Sequence, residues 1–334
     1  MELPFADETG KPRSLTVIYG GGGIGKSTVI QALASTRPGH AIAQLGRADA
    51  ASGAPPHVGC EWLLGADDPA RPHPLTVASP NVRFFGEEDQ EALRRREQVH
   101  YDRVAQEGGF VFLGIPATRW FSRQPIVISA PARSVARYDV RSPLSLDDAS
   151  RADLARECKQ ALAYASISSA LAGVRDREER RYDLLADGMR SAVTRLVELA
   201  GFRYLGIDPH SLEPVFAEGS GQRRSFDALP TRARHLAAFA ALSVRALWAA
   251  YPDQDPRDSE GVVAIDDVEL YQDNHALGRL AAALRDALPG TQWIVTTSSP
   301  VLAASVEAGE VVALRRVAEG EAISVFAGDE ALIH

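Results

Sequence analysis

An α/β fold with a mostly parallel sheet follows from three features of the sequence. Leu15–Tyr19 (LTVIY) is a short β-branched run that reads as a buried strand, and it feeds a run of glycines and then a helical pattern over 27–34. Gly261–Ile265 (GVVAI), 292–296 (QWIVT) and 311–314 (VVAL) are strands of the same buried kind, with a helical pattern over Asn274–Ala287 between the first two. Strand and helix thus alternate at both ends of the 334 residues, while helical patterns crowd the middle.

The remaining elements follow in order. Residues 35–56, rich in Gly, Pro and Ala, predict a loop with weak strand pieces. Residues 57–64 and 74–78 predict two strands of a small antiparallel β layer, 87–106 a charged helix, and 110–113 and 125–128 further short strands. From Leu144 the texture changes. Residues 147–172 and 176–200 carry helical periodicity with few breakers and predict a helical hairpin inserted into the domain and projecting from it. Residues 213–224 predict a β-turn segment with a Gly-Ser-Gly tip, and Thr231–Ala250 a long apolar helix. The expected organisation is an N-terminal half over 1–143, an inserted helical lobe over 144–212 and a C-terminal half over 213–334.

Composition narrows the function classes. The formal charge is −8, so no global basic field calls for nucleic acid or an acidic membrane; nucleic acid is possible but not indicated. Cys60 and Cys158 lie far apart in no metal-type spacing, which suits a reducing cytoplasm. The first residues, MELPFADETG, lack the basic and apolar regions of a signal peptide, and no apolar run reaches the roughly 18 residues of a membrane span. The expectation is a cytoplasmic protein that engages no membrane. No H-x-x-x-H, H-E-x-x-H or G-x-S-x-G pattern points to zinc or to an α/β-hydrolase. The arginines at 94–96 and 175–181 have acids among or near them and read as solvated helix faces; Arg119-Trp120-Phe121 reads as a packed loop.

The chemistry lies in the glycine run. Gly20, Gly21, Gly22, Gly23, Ile24, Gly25, Lys26, Ser27 and Thr28 fit G-x-x-x-x-G-K-[ST], with a strand before and a helix after. Glycines let the backbone turn its N–H groups toward phosphates, and the helix N-terminus adds its positive dipole end. Lys26 would reach the β- and γ-phosphates, and Ser27 would give its hydroxyl to Mg²⁺. No guanine-reading Asn-Lys-x-Asp occurs, which favours ATP.

Such a loop needs a second strand ending in an acid. Gly261–Ile265 is followed by Asp266 and Asp267. Asp266 is the expected Mg²⁺-shell residue, and Asp267 stands where a carboxylate would polarise the attacking water. Lys26 and Asp266 lie 240 positions apart, a separation that suits classes with large insertions between the two elements rather than compact kinases or ring motors.

Residues 262–270 (VVAIDDVEL) resemble the hydrophobic-Asp-Glu-Pro-Glu-Leu segment of the ABC-like AAA ATPases, the group of the RecF, SMC and overcoming-lysogenization-defect proteins. Residues 294–302 (IVTTSSPVL) resemble that group's Thr-Thr-His-Ser-Pro switch segment, and 129–138 an early segment of it. The resemblance implies an ATPase whose two subunits sandwich ATP head to tail, as a dimer or higher homo-oligomer, each phosphate loop facing the partner's 229–235. It also implies a separate effector protein, in phage defence or mobile-element biology. The lysogenization-defect proteins carry a nuclease domain after the ATPase; the residues after the last predicted strands leave no room for one, so effector chemistry is expected from another chain.

Three departures bear on turnover. The catalytic-Glu position is Asp267, one methylene shorter. The switch-His position is Ser298. The Leu-Ser-x-Gly-like signature is Leu229-Pro230-Thr231-Arg232, in which Arg232 could contact phosphate in trans. Gln124 is the candidate for the family's Q-loop. The readings left open are a slowly hydrolysing ATPase that gates a partner, an ATP-binding scaffold with little turnover, and a DNA-dependent loader or repair ATPase.

Overall fold

In a computed structural model of the chain, the described residues are 1–36, 58–63, 75–78, 111–123, 125–126, 128, 153–172, 180–316 and 323–332. Outside them lie the predicted helix over 87–106, the segment 129–138, the arginines at 94–96, most of 175–181, and Gln124.

A six-stranded sheet organises the chain. In chain order its strands are β1 (Leu15–Tyr19), β4 (Phe112–Ile115), β8 (Gly261–Ile265), β9 (Thr291–Thr297), β10 (Val311–Arg316) and β11 (Ile323–Ala327). Across the sheet they run β11-β10-β1-β9-β8-β4. All neighbours are parallel except β10 and β11, which form an antiparallel edge. The central strands are apolar on both faces because both faces are covered: Leu15, Val17 and Trp293 belong to one core cluster, Ile18, Ala264 and Ile294 to another. The predicted small antiparallel layer is the pair β2 (Gly59–Trp62) and β3 (Leu75–Ala78).

Between β4 and β8 the chain forms α2 (Ala155–Ala172) and α3 (Arg180–Val197), a three-stranded antiparallel sheet of β5 (Phe202–Ile207), β6 (Pro214–Glu218) and β7 (Arg223–Ser225), and then α4 (Thr231–Ala250). The predicted hairpin of helices is present but does not stand away from the sheet. Leu162, Met189 and Leu196 lie in the same core cluster as α4, Val263 and Trp293. Polar residues reinforce that docking. Glu157 pairs with Arg245 of α4, and the buried Lys159 ammonium lies 2.7 Å from Asp227 and 3.2 Å from Glu213. An acid or amine buried this deeply is tolerable only when so paired.

Three local readings change. The strand expected over 110–113 sits two residues later, and Pro125, Ile126 and Ile128 carry no strand. β5 and β11 were not anticipated. Within β5 the register slips between Tyr204 and Gly206, where Gly206 takes φ +120°, a left-handed value suited to glycine. α1 (Lys26–Thr36), α5 (Asn274–Ala287), the short α6 (Pro300–Ala303) and α7 (Asp329–Leu332) complete the described elements. None of the described helices is long and apolar enough to cross a membrane.

Candidate active site

β1 and β9 are neighbours whose outgoing connections part: β1 leads toward the β4 edge and β9 leads across β1 to β10. In an open parallel sheet that parting opens a crevice at the carboxyl ends of the strands. The phosphate loop and the acidic turn both lie at that end.

Residues 20–25 carry the chain from β1 into α1. Gly20 donates its N–H to the Thr297 carbonyl at 3.1 Å, which ties the loop to the end of β9. A Cβ on Gly20 would come within 2.9 Å of the Leu314 carbonyl oxygen, so the close approach to β10 requires glycine. Gly23 and Gly25 take φ of +70° and +96°. The first helical bond runs from Val29 N–H to the Gly25 carbonyl at 3.1 Å, leaving the amides at 26–28 at the open end of an 11-residue helix. Gly21, Gly22, Gly23 and Thr28 are exposed, Ser27 half-buried and Ile24 packed in the core. Lys26 is buried, and its ammonium donates to the carbonyls of Gly20 (2.9 Å) and Gly21 (3.0 Å), curled over the loop.

The acidic turn is held by its neighbours on both sides. Asp266, buried, donates its N–H to the Ile115 carbonyl of β4 at 2.9 Å. The Thr296 hydroxyl of β9 donates to Asp266 Oδ1 at 2.5 Å and accepts the Asp267 N–H at 2.7 Å. One hydroxyl therefore orients both acids. Asp267 takes φ +42°, an uncommon value for a residue with a side chain. Burial raises the Asp267 carboxyl above the usual aspartate range, the nearby charges of Asp266 and Glu269 add to this, and Lys26 and Arg119 oppose it. That electrostatic pull of Lys26 links the two loops across β9.

Sequence reasoning missed three contributors. Arg119, in the turn after β4, is buried and grips the acidic turn through backbone carbonyls. Thr296 was visible only as part of the switch-like segment. Glu269 accepts from both the N–H and the hydroxyl of Ser298, each at 2.7 Å, so the residue at the switch position is tied to the acidic turn of its own chain. Arg232 also finds a partner at home. It pairs with Asp273, and its carbonyl receives Gln272 Nε2 at 3.3 Å.

Below the turn lies an aromatic cluster. His235 of α4 stacks on Tyr271 at 5.0 Å between ring centroids and meets Phe121 edge-on at 4.9 Å. Its Nδ1 faces the Thr231 carbonyl at 2.8 Å and so carries the proton, while its buried Nε2 has no partner. Burial, helped by the charge of Arg119, holds the imidazole down to about 4. Tyr271 is exposed and has φ +66°.

The oxygen donors Ser27 and Asp266 suit Mg²⁺, which usually takes one or two carboxylates plus phosphate oxygens and water. Among the described residues no cluster of three or more His, Cys, Asp or Glu offers an all-protein metal cage.

No protein-family model and no curated protein matches the chain. Among solved structures it is similar to an SMC head bound to the C-terminal winged-helix domain of ScpA (13% identity, 96% of this chain and 93% of the other, TM-score 0.49). It is also similar to the SMC head domain from Thermotoga maritima (13%, 96% and 94%, TM-score 0.46) and to an SMC head with an extended coiled coil from Pyrococcus furiosus (14%, 95% and 92%, TM-score 0.45). Likeness at this level does not reach function, which must be argued from the site. By its strand order, the glycine-rich loop after β1 and the acidic turn two strands away, the chain has a mostly parallel α/β fold of the P-loop kind.

Proposed function

We propose that the chain binds ATP with Mg²⁺ at residues 20–28 and hydrolyses it slowly. The observation that carries this reading is Thr296, whose one hydroxyl holds Asp266 and the Asp267 amide at the end of the strand beside the phosphate loop. The open amides at 26–28 and Lys26 would bind the phosphates; Ser27 and Asp266 would hold the ion. The ion would screen phosphate charge. Asp267 would take the proton of the attacking water, and its raised affinity for a proton suits a base.

In this reading ATP closes a head-to-tail homodimer, and closure controls a separate effector in the antiviral setting that the family resemblance implies. The proposed units are the two halves of the ATPase domain, 1–143 and 213–334, with 144–212 as the helical block that transmits the motion. A second reading, an ATP-held scaffold with little turnover, is favoured by Ser298, whose N–H and hydroxyl are both committed to Glu269.

The test is steady-state ATP turnover with Mg²⁺, together with mass in solution with and without ATP, for the wild type, Lys26→Ala and Asp267→Asn. Hydrolysis predicts that Lys26→Ala loses about 10²–10³-fold. It predicts that Asp267→Asn loses about 10²–10⁴-fold while still binding ATP and dimerising. ATP-dependent dimers without turnover above the Lys26→Ala blank would leave the scaffold. Turnover that rises on adding DNA and falls with salt would instead favour a DNA-dependent ATPase.

A further inference from the structure

The turn after β4 brings Arg119 over the acidic turn. β4 and β8 are parallel neighbours with Ile115 opposite Ile265, so the residues that follow each strand leave the sheet side by side. Arg119 Nη1 donates to the carbonyls of Pro116 (3.0 Å) and Asp266 (2.6 Å), and Nη2 to the carbonyl of Asp267 (2.8 Å). The guanidinium is buried and lies 5.1 Å from the centroid of the Phe239 ring. A buried arginine that spends its fork on three backbone carbonyls rather than on a carboxylate is unusual, because guanidinium geometry matches anions best.

The contacts divide the acidic turn between two strands. From the β9 side Thr296 takes the Asp267 amide; from the β4 side Arg119 takes both acids' carbonyls. Both peptide groups flanking Asp267 are thereby fixed, at a residue whose left-handed backbone costs roughly 1–2 kcal/mol in isolation. Such a conformation persists only where its surroundings over-determine it.

We propose that Arg119 is a positioning residue for the nucleotide site: by clamping the carbonyls of Asp266 and Asp267 it sets where their carboxylates meet Mg²⁺ and the attacking water. This rests on the Mg²⁺–ATP reading above. The Nη contacts of Arg119 go to the carbonyls of Pro116, Asp266 and Asp267 and none to residues 20–28, so loss of the clamp should leave Mg²⁺-free nucleotide binding at the phosphate loop intact.

The experiment compares wild type, Arg119→Gln and Arg119→Lys. Affinity for a fluorescent ATP analogue is titrated with Mg²⁺ and with a chelator, beside steady-state kinetics and a thermal melt. For Arg119→Gln the gain in affinity that Mg²⁺ brings should fall about 10-fold, as for loss of a partner that orients a metal ligand. Its kcat should fall about 10- to 100-fold with KM within about threefold, and its chelator affinity should stay within about twofold of wild type. Lysine keeps the charge without the planar fork, so Arg119→Lys should fall between the two, and it carries the test should the glutamine variant unfold. Folded variants that keep both kcat and the Mg²⁺ gain within twofold would overturn the proposal. If wild type shows no turnover, the Mg²⁺ gain alone decides. Two variants that both fail to fold would assign Arg119 to the core and overturn its positioning role. A wild-type chain without Lys26-dependent ATP binding would sink the nucleotide reading itself, and this one with it.

Discussion

The phosphate loop is nine consecutive residues proposed to act through backbone amides with the side chains of Lys26 and Ser27, whereas the acidic turn is gathered from segments up to 148 positions apart and held by side chains. The loop needs little from the rest of the molecule: glycine at Gly20, Gly23 and Gly25, a strand before and a helix after. The turn depends on β4 for Arg119, on β9 for Thr296 and Ser298, and on α4 for His235 beneath Tyr271. A site made of backbone can be written locally, and a site made of side chains must be assembled by topology. The acidic side should therefore be the more sensitive of the two to distant substitutions and to pH.

The largest effect that sharpens this contrast concerns His235. Its folded-state value of about 4 lies below the ordinary 6.5, so between those values the unfolded chain binds a proton that the folded chain refuses. Its contribution is fully present above about pH 6.5 and is lost as pH falls toward 4, on the order of 3 kcal/mol in all. Arg119 and Arg234 face the same ring and oppose its protonation. Urea unfolding of wild type and His235→Phe should give stabilities that converge or cross as pH falls through this window. Parallel curves would show that the histidine does not titrate on unfolding, and would leave the acidic side no more pH-sensitive than the phosphate loop.

Thr296→Val comes next. Valine keeps the shape but removes the hydroxyl, leaving the Asp267 N–H without its acceptor and Asp266 Oδ1 without its donor. An orphaned buried donor costs about 1–3 kcal/mol, so denaturant midpoints should drop accordingly. ATP affinity in chelator should be spared, because nothing in the phosphate loop contacts that hydroxyl. Equal damage to chelator binding would mean that the two loops are one mechanical unit, against the division drawn here.

The same division explains what the sequence disclosed. The strands Leu15–Tyr19 and Gly261–Ile265 and the helices Thr231–Ala250 and Asn274–Ala287 were legible to the residue, since each is a continuous periodic run between breakers. β11 was not: it is a half-buried edge strand without the uninterrupted apolar run that marked the central strands. The run at 125–128 looked more like a strand than β11 did, yet its described residues, Pro125, Ile126 and Ile128, carry none. Nothing in the sequence pairs Lys159 or Glu157 with a partner, and only tertiary structure gives them Asp227, Glu213 and Arg245. At the site, Asp266 and Asp267 could be named because they end a strand. Arg119 could not, since its partners in the acidic turn are backbone carbonyls about 150 residues away, which leave no mark in side-chain chemistry.

The smallest expected effect tests the loop's side of the contrast. A methyl group on Gly21 meets nothing within 4 Å and its φ is not left-handed, whereas one on Gly20 collides with the Leu314 carbonyl at 2.9 Å. Gly21→Ala should therefore unfold within about 0.5 kcal/mol of wild type without nucleotide. Gly20→Ala should lose about 1–3 kcal/mol, because the atom in its way is backbone and cannot swing aside. The glycine at 21 is then required only for what approaches it from outside. If Gly21→Ala melts like wild type but binds ATP weakly, that outside partner is the phosphate chain, since close backbone approach to phosphate is what a bare Cα permits. If Gly21→Ala is as unstable as Gly20→Ala, the loop is rigidified by contacts of its own, and its independence from the surrounding fold is lost.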